Sequence, residues 1–112
     1  MIALARGQVA LLPFPFSDLS ASKLRPALVL ADAGRGDWLL CQITSKPFAD
    51  AQAVVLESTD FALGGLQRVS YARPAKLFTA HETLLTGVAG ALHSSALERV
   101  CDAVVAVVRN GR

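Results

Sequence analysis

Apolar runs in this sequence are short, and proline, glycine or small polar residues cut each of them off until the last segment of the chain. A run that ends after a few residues is too short for an ordinary helix but long enough for a strand. Gln8 to Leu12 reads as such a strand, and Pro13 and Pro15 limit its pairing, which suits an edge or a strand end. Pro26 to Ala31 and Trp38 to Ser45 flank the turn signal Asp32-Ala33-Gly34-Arg35-Gly36-Asp37 and predict a hairpin. Pro47 ends the second of these runs, and Ala53 to Leu56 is a further short strand. Arg68 to Ala72 and Ala75 to Phe78 read as strands split by Pro74. Asp60 to Leu66, with Gly64-Gly65, reads as loop, and His81 to Leu85 as one helical turn.

The final segment obeys a different period. Ser95 opens a Ser-Ala-Leu-Glu capping box closed by Glu98. Leu97, Val100, Cys101, Val104, Val105 and Val108 then recur at helical spacing, and Gly111 can stop the helix. The β-branched valines leave a final strand as the alternative, but the capping signature and the spacing favour a helix. Ala103 to Val108 is apolar on every side, and such a helix is usually covered on more than one side, for instance by a second subunit. Five or six short strands followed by one helix predict a mainly β fold: a small SH3-like barrel with a C-terminal α-helix.

The 112 residues fit one domain spanning 1–112. An apolar fraction of 53% and a mean hydropathy of +0.43 exclude disorder and leave apolar surface for a partner to cover. The net charge of +2 is too small to announce nucleic-acid binding, but Arg68, Arg73 and Lys76 fall between Leu66 and Thr79 with no acid among them. Cys41 and Cys101 sit in apolar runs and read as buried free thiols of a reducing compartment. With His81 and His93 they show no metal-ligand spacing, so no metal or cofactor is expected. Arg6 and Gly7 break the first apolar run, which makes a poor signal peptide, and no segment approaches the ~20 apolar residues of a membrane span. A soluble cytoplasmic protein without a membrane partner is expected.

The hairpin offers the one chemical site that can be placed by geometry. Alternate residues of a strand share a face, so Leu40, Gln42 and Thr44 lie together, as do Arg25, Ala27 and Val29. If the hairpin is centred between Gly34 and Arg35, cross-strand partners sum to 69 and Arg25 faces Thr44. A slip of one residue would part them, and a six-residue turn does not fix the register. In that register a guanidinium, a hydroxyl and an amide meet at one end of a sheet. Such groups can hold phosphate oxygens and stabilise charge on them. Residue types alone leave open the plainer reading of solvated strand ends.

Gly7-Gln8-Val9, Pro13-Phe14-Pro15-Phe16-Ser17-Asp18 and Lys23-Leu24-Arg25-Pro26-Ala27-Leu28-Val29-Leu30 resemble the opening of MazF/PemK-type toxins. Gln42-Ile43-Thr44-Ser45 resembles their second motif, and Gly64-Gly65-Leu66, Ser70-Tyr71 and Lys76-Leu77-Phe78-Thr79 their third region, so the likeness covers about residues 7 to 105. The resemblance implies a homodimeric SH3-like barrel of a type II toxin–antitoxin system. It implies a sequence-specific, metal-independent endoribonuclease that cuts single-stranded RNA to 2′,3′-cyclic phosphate and 5′-hydroxyl ends, and a cognate antitoxin that blocks the RNA groove. It carries catalytic roles onto Arg25 and Thr44, and around them Ser17, Lys23, Gln42, Ser45, Arg73 and Lys76 become candidates to bind RNA. The PemK branch uses an Arg, a carboxylate two residues later and a basic residue before a Thr; here Arg73 matches, but Ala75 and Phe78 depart. The Arg25/Thr44 scheme is therefore the expectation. A CcdB-like topoisomerase poison and a non-cleaving relative that binds RNA or a partner are the alternatives.

Overall fold

The computed structural model describes residues 3–15, 22–47 and 50–111. Seven strands and one long helix follow one another: β1 (Gln8–Pro15), β2 (Ser22–Gly34), β3 (Asp37–Thr44), β4 (Val54–Leu56), β5 (Phe61–Gly64), β6 (Ser70–His81), β7 (Gly87–Leu92) and α1 (Ser94–Asn110). Single 3-10 turns occupy Ser58–Asp60 and Glu82–Leu84. The strands form one antiparallel sheet in the order β4-β6-β3-β2-β1-β7-β5, curled into a half-barrel. The mainly β fold with a C-terminal helix is as the sequence predicts.

Both faces of the sheet are covered, which is why many strands are near-continuous apolar runs rather than clean alternations. On one face Val9, Leu28, Leu30, Cys41 and Ile43 pack with Ala96, Leu97 and Val100 of α1. On the other, Ala10, Leu12, Ala27, Val29 and Leu40 form a smaller cluster with Ala80 and Leu85. The cross-strand pairs agree with this division: Val9 lies opposite Leu28 and Ala10 opposite Ala27. Burial of these side chains stabilises the sheet by the usual ~25 cal/mol per Å² of apolar surface.

Several local expectations are corrected. β1 is an inner strand, paired with β2 from Val9 onward and with β7 only as far as Leu11, so of the two expected placements for its prolines the strand end holds and the edge does not. Pro13 and Pro15 fall in the stretch with one neighbour, where a missing N–H costs least. The turn of the β2–β3 hairpin is two residues, Arg35-Gly36, not six. Its φ angles of 56° and 83° are left-handed, the geometry whose twist matches that of antiparallel strands. Asp60 to Leu66 is not all loop, because β5 pairs there with β7, a strand absent from the sequence reading. β6 is one strand through Pro74, but its ladder with β3 jumps from Cys41–Leu77 to Ile43–Ala72. Residues 73–76 bulge between those pairs, and the bulge absorbs the buried proline. The capping box at Ser95 does not form: α1 begins at Ser94 after His93, which makes no side-chain cap, and its first turn leans on tertiary packing. Gly111, at φ 74°, does end the helix.

Candidate nucleic-acid interface

Three segments that are remote in sequence meet where β2 begins, β3 ends and β6 begins. Lys23, Leu24, Arg25 and Pro26 of β2, Ser45 just after β3, Leu66, Gln67 and Arg68 of the β5–β6 connection and Ser70 at the start of β6 line a cleft of about 400 Å³. Three of these nine residues are cations and none is an acid. A concave surface with three cations and no acid among its lining residues is suited to hold phosphates. Its wall is fixed from behind: the hydroxyl of the buried Ser70 donates to the Arg68 carbonyl at 3.0 Å.

The hairpin register bears on Arg25 and Thr44. The ladder runs Val29–Leu40, Leu28–Cys41 and Ala27–Gln42, so partners sum to 69. It reaches that sum by compensation. The turn lies one residue later than the sequence reading placed it, with Gly34 opposite Asp37, and two irregularities each insert one extra residue on β2. The paired ladder ends at Ala27–Gln42, and extending its register puts Arg25 across from Thr44. Arg25 is also the cross-strand partner of Leu12, a member of the smaller core cluster. Arg25, Gln42 and Thr44 therefore share the sheet face of that cluster, at its end.

The remaining candidates divide. Lys23 and Ser45 are exposed and line the cleft with the half-buried Arg25. Thr44 and Gln42 are half-buried and are not among the lining residues; the Thr44 hydroxyl oxygen accepts from the Lys46 N–H at 3.1 Å. Arg73 and Lys76 stand apart, on the β6 bulge opposite Gln42. Arg73 donates two hydrogen bonds to Asp50, of 2.7 and 3.2 Å. That bonding holds the Asp50 carboxyl below the usual range and raises Arg73. The Arg73 carbonyl accepts from the Cys41 thiol at 3.1 Å, and burial pushes that thiol up to about 12, so it stays protonated. Ser17 and Phe16, and the side chain of Phe14, lie outside the described residues.

Sequence reasoning missed Gln67 and Ser70 as cleft residues, named Arg68 only as part of a basic stretch, and missed Asp50 altogether. Arg68 carried a signal, the acid-free run from Leu66 to Thr79. Asp50 carried none, because its partner is 23 residues away. Among the described residues no three His, Cys, Asp or Glu come together to hold a metal ion, and no helix is long and apolar enough to cross a membrane.

Known proteins agree with this architecture. Solved structures with the same fold include an endoribonuclease in complex with its cognate antitoxin from a mycobacterial species, at 17% identity and TM-score 0.72, covering 97% of this chain and 96% of that one. A MazE-MazF complex from Deinococcus radiodurans matches at 20% identity and TM-score 0.75, covering 97% and 98%. The Mycobacterium tuberculosis toxin MazF-mt6 matches at 20% and 0.69, covering 91% and 96%. The comparison with curated proteins yields no match. The family model for the PemK-like, MazF-like toxins of type II toxin–antitoxin systems matches residues 5–108. With nearly the whole domain matched and the fold shared, the chain belongs to that toxin family.

Proposed function

We propose that this protein is a metal-independent endoribonuclease toxin that cuts single-stranded RNA, with Arg25 and Thr44 as its catalytic residues. One observation carries the reading: Lys23, Arg25 and Arg68 surround one acid-free cleft beside the β2–β3 register that relates Arg25 to Thr44. The likeness to a mycobacterial endoribonuclease points the same way.

The chemistry asks little of the protein. The ribose 2′-oxygen attacks the adjacent phosphorus and loses its proton. The bond from phosphorus to the 5′-oxygen breaks, and that oxygen leaves with a proton. A 2′,3′-cyclic phosphate and a 5′-hydroxyl result. Charge builds on the phosphoryl oxygens in between, and Arg25 supplies a planar, permanently charged donor for them. The Thr44 oxygen accepts from Lys46, which leaves its own O–H to donate to the same oxygens. Lys23, Arg68 and Ser45 hold the flanking backbone, and Gln42 and Lys76 extend the polar surface along the sheet. The nucleophile belongs to the substrate, so no metal is needed to generate one.

The antitoxin partner would compete for the same cations through a carboxylate-bearing segment. The test is to incubate the pure protein with single-stranded RNA in EDTA and identify the new ends. Cyclic phosphate ends, and full resistance of a substrate carrying 2′-deoxyribose at the scissile nucleotide, are expected. Cleavage of the deoxy substrate, or activity only with added metal, overturns the reading.

A further inference from the structure

A second cavity, of about 260 Å³, adjoins the cationic cleft. Leu66, Gln67 and Arg68 line both spaces. From the depression's geometry we infer that it is a nucleobase subsite: it takes a base next to the phosphate held in the cleft, and Glu57 makes it select a base that carries an exocyclic amino group. The inference rests on the RNA-cleaving reading and adds a specificity determinant to it.

The argument starts from the cavity's make-up. Its floor is apolar, with Leu56 1% and Phe61 9% exposed. Its rim carries Glu57, Ser58 and Gln67, all exposed. An apolar floor under a few polar groups is how small planar ligands are bound and oriented. The volume suits one base, not a folded peptide. The three shared residues put the space beside the cleft, and unstacked bases of single-stranded RNA are read in such pockets.

The pocket is also preformed. The Glu57 N–H donates to the Asp60 carboxylate at 2.8 Å, and the Asp60 N–H donates back to the Glu57 carbonyl at 2.9 Å. Arg99 holds Asp60 at 2.9 Å, and the Gly65 N–H donates to the Ala89 carbonyl at 3.1 Å. A glutamate carboxylate offers up to about four acceptor positions, so the exposed Glu57 side chain can receive the N–H groups of a ligand. Adenine, cytosine and guanine each offer an exocyclic N–H to it. Uracil has no exocyclic N–H and offers only its ring N3–H, flanked by two carbonyl oxygens that face the carboxylate, so it binds more weakly. A paired carboxylate and amino group discriminates between bases by roughly 10-fold or more.

The experiment cuts a randomised single-stranded RNA pool with the wild-type protein, Glu57→Gln and Gln67→Ala, and sequences the ends. Glu57→Gln keeps the side-chain shape and leaves the backbone acceptor of the Asp60 N–H in place, and circular dichroism checks the fold. The wild type is expected to deplete uracil about 10-fold at one position within two nucleotides of the cut, and Glu57→Gln to relax or invert that bias. Gln67→Ala is expected to weaken it. An identical base profile for the wild type and Glu57→Gln overturns the subsite while leaving the ribonuclease reading standing. If the wild type cuts nothing, the ribonuclease reading falls, and the subsite is decided by fluorescence anisotropy with labelled oligo(A), oligo(C) and oligo(U). Weaker binding of oligo(U), equalised by Glu57→Gln, supports it; equal binding of all three by the wild type overturns it.

Discussion

Arg73 grips Asp50 through two hydrogen bonds, of 2.7 and 3.2 Å, across the mouth of the bulge in β6. The pair ties the segment after β3 to the strand that faces Gln42, so it stiffens the region next to Thr44 and Ser45. It also engages a guanidinium that the sequence assigned to RNA. The carboxylate engages the Nε and Nη2 edge of this five-donor group. Arg73 is thus a brace for the site as well as a candidate phosphate ligand.

Breaking that brace should cost modest stability with a defined pH dependence. Asp50 is held below the ordinary aspartate value of 3.8, chiefly by the Arg73 hydrogen bond. Its contribution is therefore present above that value and is lost as pH falls through the lowered one. Asp50→Asn should cost about 0.5–1 kcal/mol at neutral pH, the range for pairs that water still reaches. It should also flatten part of the acid limb of a stability curve. Asp60, lowered chiefly by the Glu57 backbone N–H and then by Arg99, supplies what remains. Urea unfolding from pH 7 to pH 3 checks this; an unchanged acid limb in Asp50→Asn would refute it.

Arg25→Ala should lower the RNA cleavage rate about 100- to 1,000-fold, as is usual when one donor to a developing oxyanion is removed. Thr44→Ala should cost less, because a neutral hydroxyl is a weaker partner than a guanidinium. Single-turnover kinetics on one labelled RNA measures both. Wild-type rates in Arg25→Ala, with unchanged thermal unfolding, would remove it from the chemistry.

Gly90→Ala should destabilise the fold by about 2 kcal/mol, within the range for forcing added volume into a packed interior. An added Cβ would sit 2.5 Å from the Leu63 carbonyl oxygen and 2.8 Å from the Gly65 nitrogen. Both are backbone atoms of the β5 region, so β5 would be pushed off β7. Thermal melts of the variant decide it, and an unchanged midpoint would show that this edge yields easily.

The protein should be a symmetric dimer at micromolar concentration. On α1, Val105 is 50% and Val108 72% exposed, and they line an apolar surface with Val104. Leaving such a face in water is costly, and a copy of the same face can cover it. Sedimentation should give twice the chain mass, and Val105→Asp with Val108→Asp should give monomers. A wild-type monomer at that concentration would count against the proposal.

Local chemistry determined much of this protein. The short, interrupted runs specified strands, the 3.6-residue spacing after Ser95 specified the helix, and Gly111 ended it. Motif resemblance singled out Arg25 and Thr44. What depends on neighbours far along the chain was not legible. β5 and β7 are too short and too glycine-rich to declare themselves, and exist because Gly64 and Gly90 let their backbones approach. The hairpin register reached its sum of 69 only because two bulges on β2 offset a displaced turn, and hydrophobic period alone cannot count bulges. Arg68 and Gln67 joined the cleft, and Asp50 captured Arg73, through closures over tens of residues. Sequence fixes which groups a segment carries, while the curl of the sheet and the packing of both its faces decide which of those groups meet.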